Sequence, residues 1–221
     1  MQALILHKDP MGKKSLIFGG SGHAKDAIHI ATSIGYDQFE IVTSNGSCGI
    51  KGYQAIKEAD FHPDNYAGWD FFIAIGNNNH RQRFLEQYPS LNFVSLISTS
   101  AEISDSAQIG KCCYIGAFAY IGPDAQLADG SIVNTQSILG HDSSLGFCSQ
   151  IGPRVCVSGN VCIGDKVFVG AGALFNNGSP DEPLQIPDEV TIGMGCHITA
   201  SIKHRGLQII PKPNHIGVKP E

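Results

Sequence analysis

The 221-residue sequence predicts two domains of different class. An α/β domain spans residues 15–98, and an all-β parallel β-helix of hexapeptide repeats spans residues 99–221 with a C-terminal tail. Two observations carry this reading. Apolar runs alternate with amphipathic stretches in the front of the chain, and an aliphatic residue recurs every six positions behind it.

The front is read first. "SLIFG" is a short buried strand that ends in "GGSGHAKD", and a helical pattern follows with Ala24, Ile28, Ala31 and Ile34 on one face. "FEIVT" is a second strand and "DFFIAIG" a third; "NNNHRQRFLEQY" opens another helix, and "NFVSLI" is a fourth strand. Alternation of this kind implies a small parallel sheet flanked by helices. The glycine-rich turn after the first strand presents backbone N–H groups at a helix start, a place that suits phosphate. It lacks the full dinucleotide fingerprint, and no acidic residue ends the second strand at "IVTSN". The first 13 or so residues precede any clear element.

The repeat runs Ile103, Ile109, Ile115, Ile121, Leu127, Val133, Leu139, Leu145, Ile151, Val157, Ile163 and Val169, with Phe175 in the next place. Two residues before each aliphatic stands a small one, among them Cys113, Ala119, Ala125, Ser131, Ser137, Ser143 and Ser149. Both kinds point inward by strand alternation. Glycine often follows the aliphatic residue, which is read as supplying the backbone freedom for each turn. Stacked coils then bury one continuous apolar column. The period breaks at "NNGSPDEPLQ" and resumes at Ile186. That insertion is either a tolerated loop or a lip on a binding site.

Composition narrows the function. Hydrophobic residues make up 42%, enough for a core, and the formal charge of −5 argues against nucleic acid as partner. No apolar run is long enough to span a membrane, and "MQALIL" lacks the organisation of a signal peptide. Seven cysteines without a CxxC pair point to reduced thiols in a cytoplasmic protein with no zinc.

The candidate chemistry lies in "SILGHDSSLG". His141 and Asp142 fall in the third and fourth places of their hexapeptide, at a turn outside the core column. Imidazole titrates near neutrality and is suited to general base work, and a carboxylate beside it can orient the ring. His23, in the glycine turn, can contact a ligand. His7, His29, His62, His80, His197, His204 and His215 have no visible partner and are read as surface or structural. The cysteines are read as packing residues.

The GxSGH turn, the "AIGNN" strand end and a hexapeptide β-helix carrying "N…GHD" together resemble the bacterial sugar acyltransferases. These N-acetylate aminosugar nucleotides such as those of bacillosamine and perosamine, and related enzymes O-acetylate sialic acid. The resemblance covers about residues 15–200. It implies a Rossmann-like first domain, a left-handed β-helix, acetyl-CoA as co-substrate, a homotrimer with sites between subunits, and a role in surface-glycan (polysaccharide) biosynthesis. By the same resemblance His141 is the base and Asp142 its acidic neighbour. Asn134 is an active-site asparagine, the Gly159 N–H faces the thioester carbonyl, and Ala171 contacts coenzyme A through its backbone. Gly20, Ser21, Gly22 and His23 match the nucleotide-phosphate turn, and Asn77 and Arg81 the second nucleotide segment. Gln150 stands where the family often has a second histidine and is expected to serve the acyl donor as a hydrogen-bond donor. Thr43, Ser44 and Asn45 stand where uridine-binding members tend to have acidic residues, which turns the expectation toward thymidine or guanosine. A sugar O-acetyltransferase and a non-catalytic sugar-nucleotide-binding scaffold remain the alternatives.

Overall fold

The computed structural model describes residues 12–210; the leading segment with His7, and the tail with His215, lie outside them. Strands β1 (Lys13–Phe18), β2 (Tyr36–Thr43), β3 (Ala55–Lys57) and β4 (Asp70–Ile73) form a parallel sheet in the order β3-β2-β1-β4. Helix α1 (Gly22–Ser33) links β1 to β2, and α2 (Asn78–Gln87) follows β4. The end of β1 is aromatic: Phe18 packs edge-on against Phe61, stacks on Tyr88 and meets Phe84 of α2, so one buried ring ties the sheet to α2. The short strand β3 has no periodic signal in the sequence. The buried stripe of α1 is Ala24, Ala27, Ile30 and Ala31, with Ile28 and Ile34 only half-buried, a face slightly rotated from the expected one.

The expected fourth strand divides between the domains. Phe93 makes one isolated bridge to Phe71, whereas β5 (Leu96–Ile97) pairs with Tyr114–Ile115 and is already a strand of the β-helix. The boundary therefore falls a few residues earlier than the expected residue 99, because Leu96 and Ile97 find their partners one coil ahead.

From β5 onward, two- and three-residue strands stack in parallel into three sheets, the faces of a triangular left-handed prism. Face one includes Tyr114–Ile115, Ile132–Val133, Gln150–Ile151 and Phe168–Val169. Face two includes Tyr120–Ile121, Ile138–Leu139, Cys156–Val157 and Leu174–Phe175, and face three Gln126–Leu127, Ser144–Leu145 and Val161–Ile163. The aliphatic column and its small companions form one buried core, as the period predicts. The inward serines also serve the backbone. Ser137, Ser143 and Ser149 each donate to a carbonyl fifteen residues on (2.7, 2.9 and 2.7 Å) and accept an N–H eighteen residues on. A buried hydroxyl with both roles filled leaves no polar atom stranded.

The turn glycines do a different job from the one expected. Left-handed φ falls two places later, on Cys112, Phe118, Asp124, Gln136, Asp142, Cys148, Arg154 and Asn160, with φ between 52° and 59°. The glycines are needed for close approach between coils. A Cβ on Gly116 would lie 2.6 Å from the Thr135 nitrogen, and one on Gly140 2.6 Å from the Ser158 carbonyl carbon. The repeat thus accepts a strained φ at many non-glycine residues, at about 1–2 kcal/mol each, and uses glycine both for the contact that no side chain permits and, at Gly130, Gly172 and Gly195, for the left-handed place itself.

Candidate active site

Three of the expected residues meet at the corner between faces two and three. Leu139 anchors the coil in the core and Gly140 is still buried, so His141 and Asp142 are the residues that turn outward. Asp142 adopts φ of 55°, and this brings its carboxylate to its neighbour: Oδ2 lies 2.7 Å from His141 Nδ1. Both side chains are more than half exposed. With Nδ1 held by the carboxylate, Nε2 is the nitrogen available to a substrate, the arrangement of a base and its orienter. The imidazole lies over Gly159, one coil on, and a Cβ there would collide with Nε2 and Cε1. Glycine at 159 is what leaves room for the ring.

The Gly159 N–H, expected to be a free donor for a thioester oxygen, is engaged. It donates to Oδ1 of Asn177 at 3.0 Å, and Gly178 N–H donates to the Gly159 carbonyl at 3.0 Å. The insertion after Phe175 is therefore seated directly on the coil above His141. Asn177 was not legible as a site residue, since the sequence there reads only as a break in the period.

The remaining expected residues lie elsewhere on the chain. Asn134 and Ala171 flank the corner between faces one and two, where Asn134 Oδ1 accepts its neighbour's N–H from Thr135 at 2.7 Å. Gln150 lies on face one, and its Oε1 accepts from Arg81 Nη1 at 3.3 Å. That leaves its Nε2 as the end with donors to give.

Arg81 departs from its expected role. It is 1% exposed, and its guanidinium is spent on protein acceptors. Nε donates to the Gly130 carbonyl (2.9 Å). Nη1 donates to the Ile75 and Gly76 carbonyls (2.9 and 3.0 Å), and Nη2 to Asn78 Oδ1 (2.9 Å) and the Cys148 carbonyl (2.6 Å). Burial pulls its pKa down to about 10. Arg81 is an internal clamp between α2 and the β-helix and has no donor left for a phosphate. Asn77 also acts within the fold: it caps α2, its Oδ1 accepting the His80 N–H at 3.0 Å. Its neighbour Asn78 extends the clamp by donating to the Lys166 carbonyl at 2.9 Å.

The glycine turn stands at the start of α1 as expected. Ser21 is the N-cap and its side chain makes no capping bond, and no acidic residue occupies the first turn. Gly22 has open space where a Cβ would stand. The first-turn N–H groups are therefore oriented for an anion. His23 points the other way, its ring 4.7 Å from Tyr114. Although the residue as a whole is half-buried, Nε2 is enclosed without a partner. Burial, then the nearby Arg81 charge, lowers its pKa to about 4, so it packs as a neutral ring.

Beside this turn, a cavity of about 230 Å3 is lined by Gly19, Gly20, Thr43, Ser44, His80 and Arg83, among others. Arg83 is half-exposed and paired with Glu58 at 2.9 Å. Of the two arginines of α2, Arg83 and not the expected Arg81 lines this cavity. With Phe84 as the core marker, helical periodicity buries Arg81 and turns His80 and Arg83, three apart, to a common face. Among the described residues no group of three His, Cys, Asp or Glu could hold a metal, and no helix is long and apolar enough to cross a membrane.

Residues 14–88 match the family model of the PglD N-terminal domain. Among solved structures, the chain matches a histidine-to-asparagine variant of perosamine N-acetyltransferase from Caulobacter crescentus in complex with CoA and GDP-perosamine. Identity is 25%, 88% of this chain and 90% of that one are covered, and the TM-score is 0.79. It also matches the acetyltransferase domain of PglB from Neisseria gonorrhoeae, at 28% identity over 89% and 95% of the two chains with a TM-score of 0.77. The chain has the architecture of the sugar N-acetyltransferases. The same PglB domain in complex with acetyl coenzyme A matches at 26% identity over 85% and 93%, with a TM-score of 0.74. No curated protein matches the sequence.

Proposed function

We propose that this protein is an acetyl-CoA-dependent N-acetyltransferase for the amino group of a nucleotide-linked aminosugar in bacterial surface-glycan biosynthesis. The observation that carries the reading is the His141–Asp142 pair, 2.7 Å apart, with Nε2 left to substrate above Gly159. His141 takes the proton as the sugar amine attacks the thioester carbonyl carbon. The tetrahedral intermediate then expels the CoA thiolate, and the imidazolium returns a proton to the sulfur. Relatives crystallised with CoA, acetyl-CoA and GDP-perosamine support the choice of acyl donor and acceptor class. The uncapped start of α1 suits a diphosphate. The neighbouring cavity has Thr43 and Ser44 on one edge and Glu58, paired with Arg83, as its carboxylate, and which base it takes is read from the trial of UDP-, dTDP- and GDP-linked acceptors below.

A homotrimer belongs to the same reading. The first domain packs against face one and its corner with face three, through Tyr114, Gly130 and Cys148, whereas His141 occupies the edge opposite face one. A sugar held by the glycine turn is therefore served by the histidine of another copy. Face two carries Tyr120, Ile138, Cys156 and Leu174 in register on its outer side, three of them exposed apolar residues, a strip suited to subunit packing. Cytoplasmic location also belongs to this reading, on the strength of seven unpaired cysteines.

The test is thiol release from acetyl-CoA with UDP-, dTDP- and GDP-linked aminosugars, together with sedimentation of the free protein. Amide formation on one of these nucleotides and a trimer are the expected results. Efficient acetylation of a free sugar hydroxyl would move the assignment to an O-acetyltransferase. Sugar-nucleotide binding without thiol release would make the chain a non-catalytic scaffold, and a stable monomer at micromolar concentration would exclude shared sites.

A further inference from the structure

Along the edge between faces three and one a capping bond recurs: the N–H two places after the inward aliphatic residue donates to the side chain of the residue stacked on it. Lys111 N–H donates to Asp129 Oδ1 (2.7 Å), Phe147 N–H to Asp165 Oδ1 (2.7 Å), and Asp165 N–H to Asp188 Oδ1 (3.0 Å). At the His141 corner the same bond runs from Gly159 N–H to Asn177 Oδ1 (3.0 Å). The geometry is shared, yet here the cap is an amide and not a carboxylate. A backbone N–H can meet only the oxygen of that amide, so Nδ2 with its two hydrogens is turned away from the coil. Asn177 is exposed, and among the described residues its Oδ1 accepts from Gly159 N–H while Nδ2 makes no hydrogen bond.

The insertion that carries Asn177 is held in place on both sides. Asn176 Oδ1 lies 2.8 Å from His197 Nε2, Gly178 N–H donates to the Gly159 carbonyl, and Leu184 N–H donates to the Asn160 carbonyl. A Cβ on Gly178 would collide with the Asn160 carbonyl oxygen, so the loop is pressed against the coil. His141 Nε2 and the Asn177 amide thus converge on one residue, Gly159, from two sides.

The geometry points to Asn177 as a further catalytic residue, the donor that stabilises the anionic oxygen of the tetrahedral intermediate. The inference rests on the acetyltransferase reading above. When the amine nitrogen bonds to the thioester carbon, the carbonyl π pair moves onto oxygen. Asn177 Nδ2–H donates to that oxygen while His141 receives the amine proton; the pair returns as the C–S bond breaks. The Gly159 N–H, spent on Oδ1, polarises the amide and fixes its direction. A carboxylate at this corner would set a negative charge against the forming anion, whereas the neutral amide of Asn177 keeps the cap and adds a donor.

The decisive comparison is Asn177→Asp against Asn177→Ala. Asp keeps the acceptor that caps Gly159, as Asp129, Asp165 and Asp188 do at their corners, but deletes the donor and adds a negative charge; Ala removes the donor with no added charge. The expected result for Asn177→Asp is a fall in kcat of about 10²–10³-fold, the scale of a lost oxyanion donor, with acetyl-CoA KM and thermal midpoint unchanged. Asn177→Ala should lose as much turnover and some stability. If Asn177→Asp turns over normally and only Asn177→Ala is destabilised, the residue is a structural cap and the inference falls. If Asn177→Ala is as active as wild type or faster, the freed Gly159 N–H is itself the donor, and the inference falls equally. Wild-type protein that releases no thiol with any aminosugar nucleotide sinks the acetyltransferase reading and this inference with it, an outcome separate from the variant results.

Discussion

The corner between faces three and one and the corner between faces two and three share one backbone. Both have left-handed residues in the same place, Cys148 and Asp142, and both cap a stacked N–H with a side chain. The first is covered by α2. There the Gly130 and Cys148 carbonyls accept from Arg81, and Cys112 and Cys148 are buried, the Cys148 thiol pushed up to about 12 and Cys112 also raised. The second is left open, with His141 and Asp142 more than half exposed. The difference shows that the repeat supplies turns of equal geometry, and that what packs on a turn decides whether it becomes a buried seam or stays open to solvent. A thiol buried by a neighbouring domain is held protonated and unreactive, whereas the His141 ring stays accessible to solvent beside its carboxylate.

Four measurements would break or sharpen this comparison. His141→Asn should lower kcat by roughly 10²–10⁴-fold, the scale of lost general base catalysis, while acetyl-CoA affinity stays unchanged. Near-normal turnover would remove the open corner from the chemistry. Arg81→Met should act at the seam and not at the reaction. It strands several carbonyls at about 1–3 kcal/mol each, so a loss of roughly 3–5 kcal/mol and about 10 °C in Tm is expected. A variant that unfolds normally but fails to bind nucleotide would restore Arg81 to the ligand site.

His23, packed between the domains, sets a pH limit on the seam. Its pKa falls from 6.5 to about 4 on folding, so between those values the unfolded chain holds the extra proton. Stability from this group is complete above pH 6.5 and is lost as pH falls toward 4, to a total of about 3 kcal/mol. Denaturant midpoints across that range check it, with His23→Phe expected to flatten the slope; an unchanged slope would show that the ring charges freely. The smallest effect is expected from Gly159→Ala. The new methyl displaces the His141 ring without touching the seam, so kcat should drop about 10–100-fold, a loss of positioning, with Tm nearly constant. Unaltered kinetics would mean that the ring works from another rotamer.

The resemblance noted in the sequence pointed to the family architecture and to the His–Asp pair, and the structure places that pair with Gly159. The partners of Arg81, of the Gly159 N–H and of Asn177 were not legible for one reason: hydrogen-bond partners are not periodic. Arg81 in "NNHRQRF" looks as available as Arg83 until α2 is laid on the β-helix and one guanidinium is enclosed by carbonyls from residues 130 and 148. Asn177 lies where the six-residue period stops, so its relation to Gly159 exists only after the insertion folds back on the coil.

By itself the sequence determined the β-helix, because one inward aliphatic per hexapeptide is a local rule repeated until the column closes, and every coil buries the same atoms as its neighbour. It also determined that His141 and Asp142 lie outside that column, since places three and four of the repeat cannot reach the core. Only the tertiary structure decided which polar groups are left for a ligand. A donor or acceptor is available when nothing else satisfies it, and that depends on which distant carbonyl, amide or helix lands beside it. The same guanidinium, amide or N–H can serve the fold or the substrate, and the chain's three-dimensional packing made the choice.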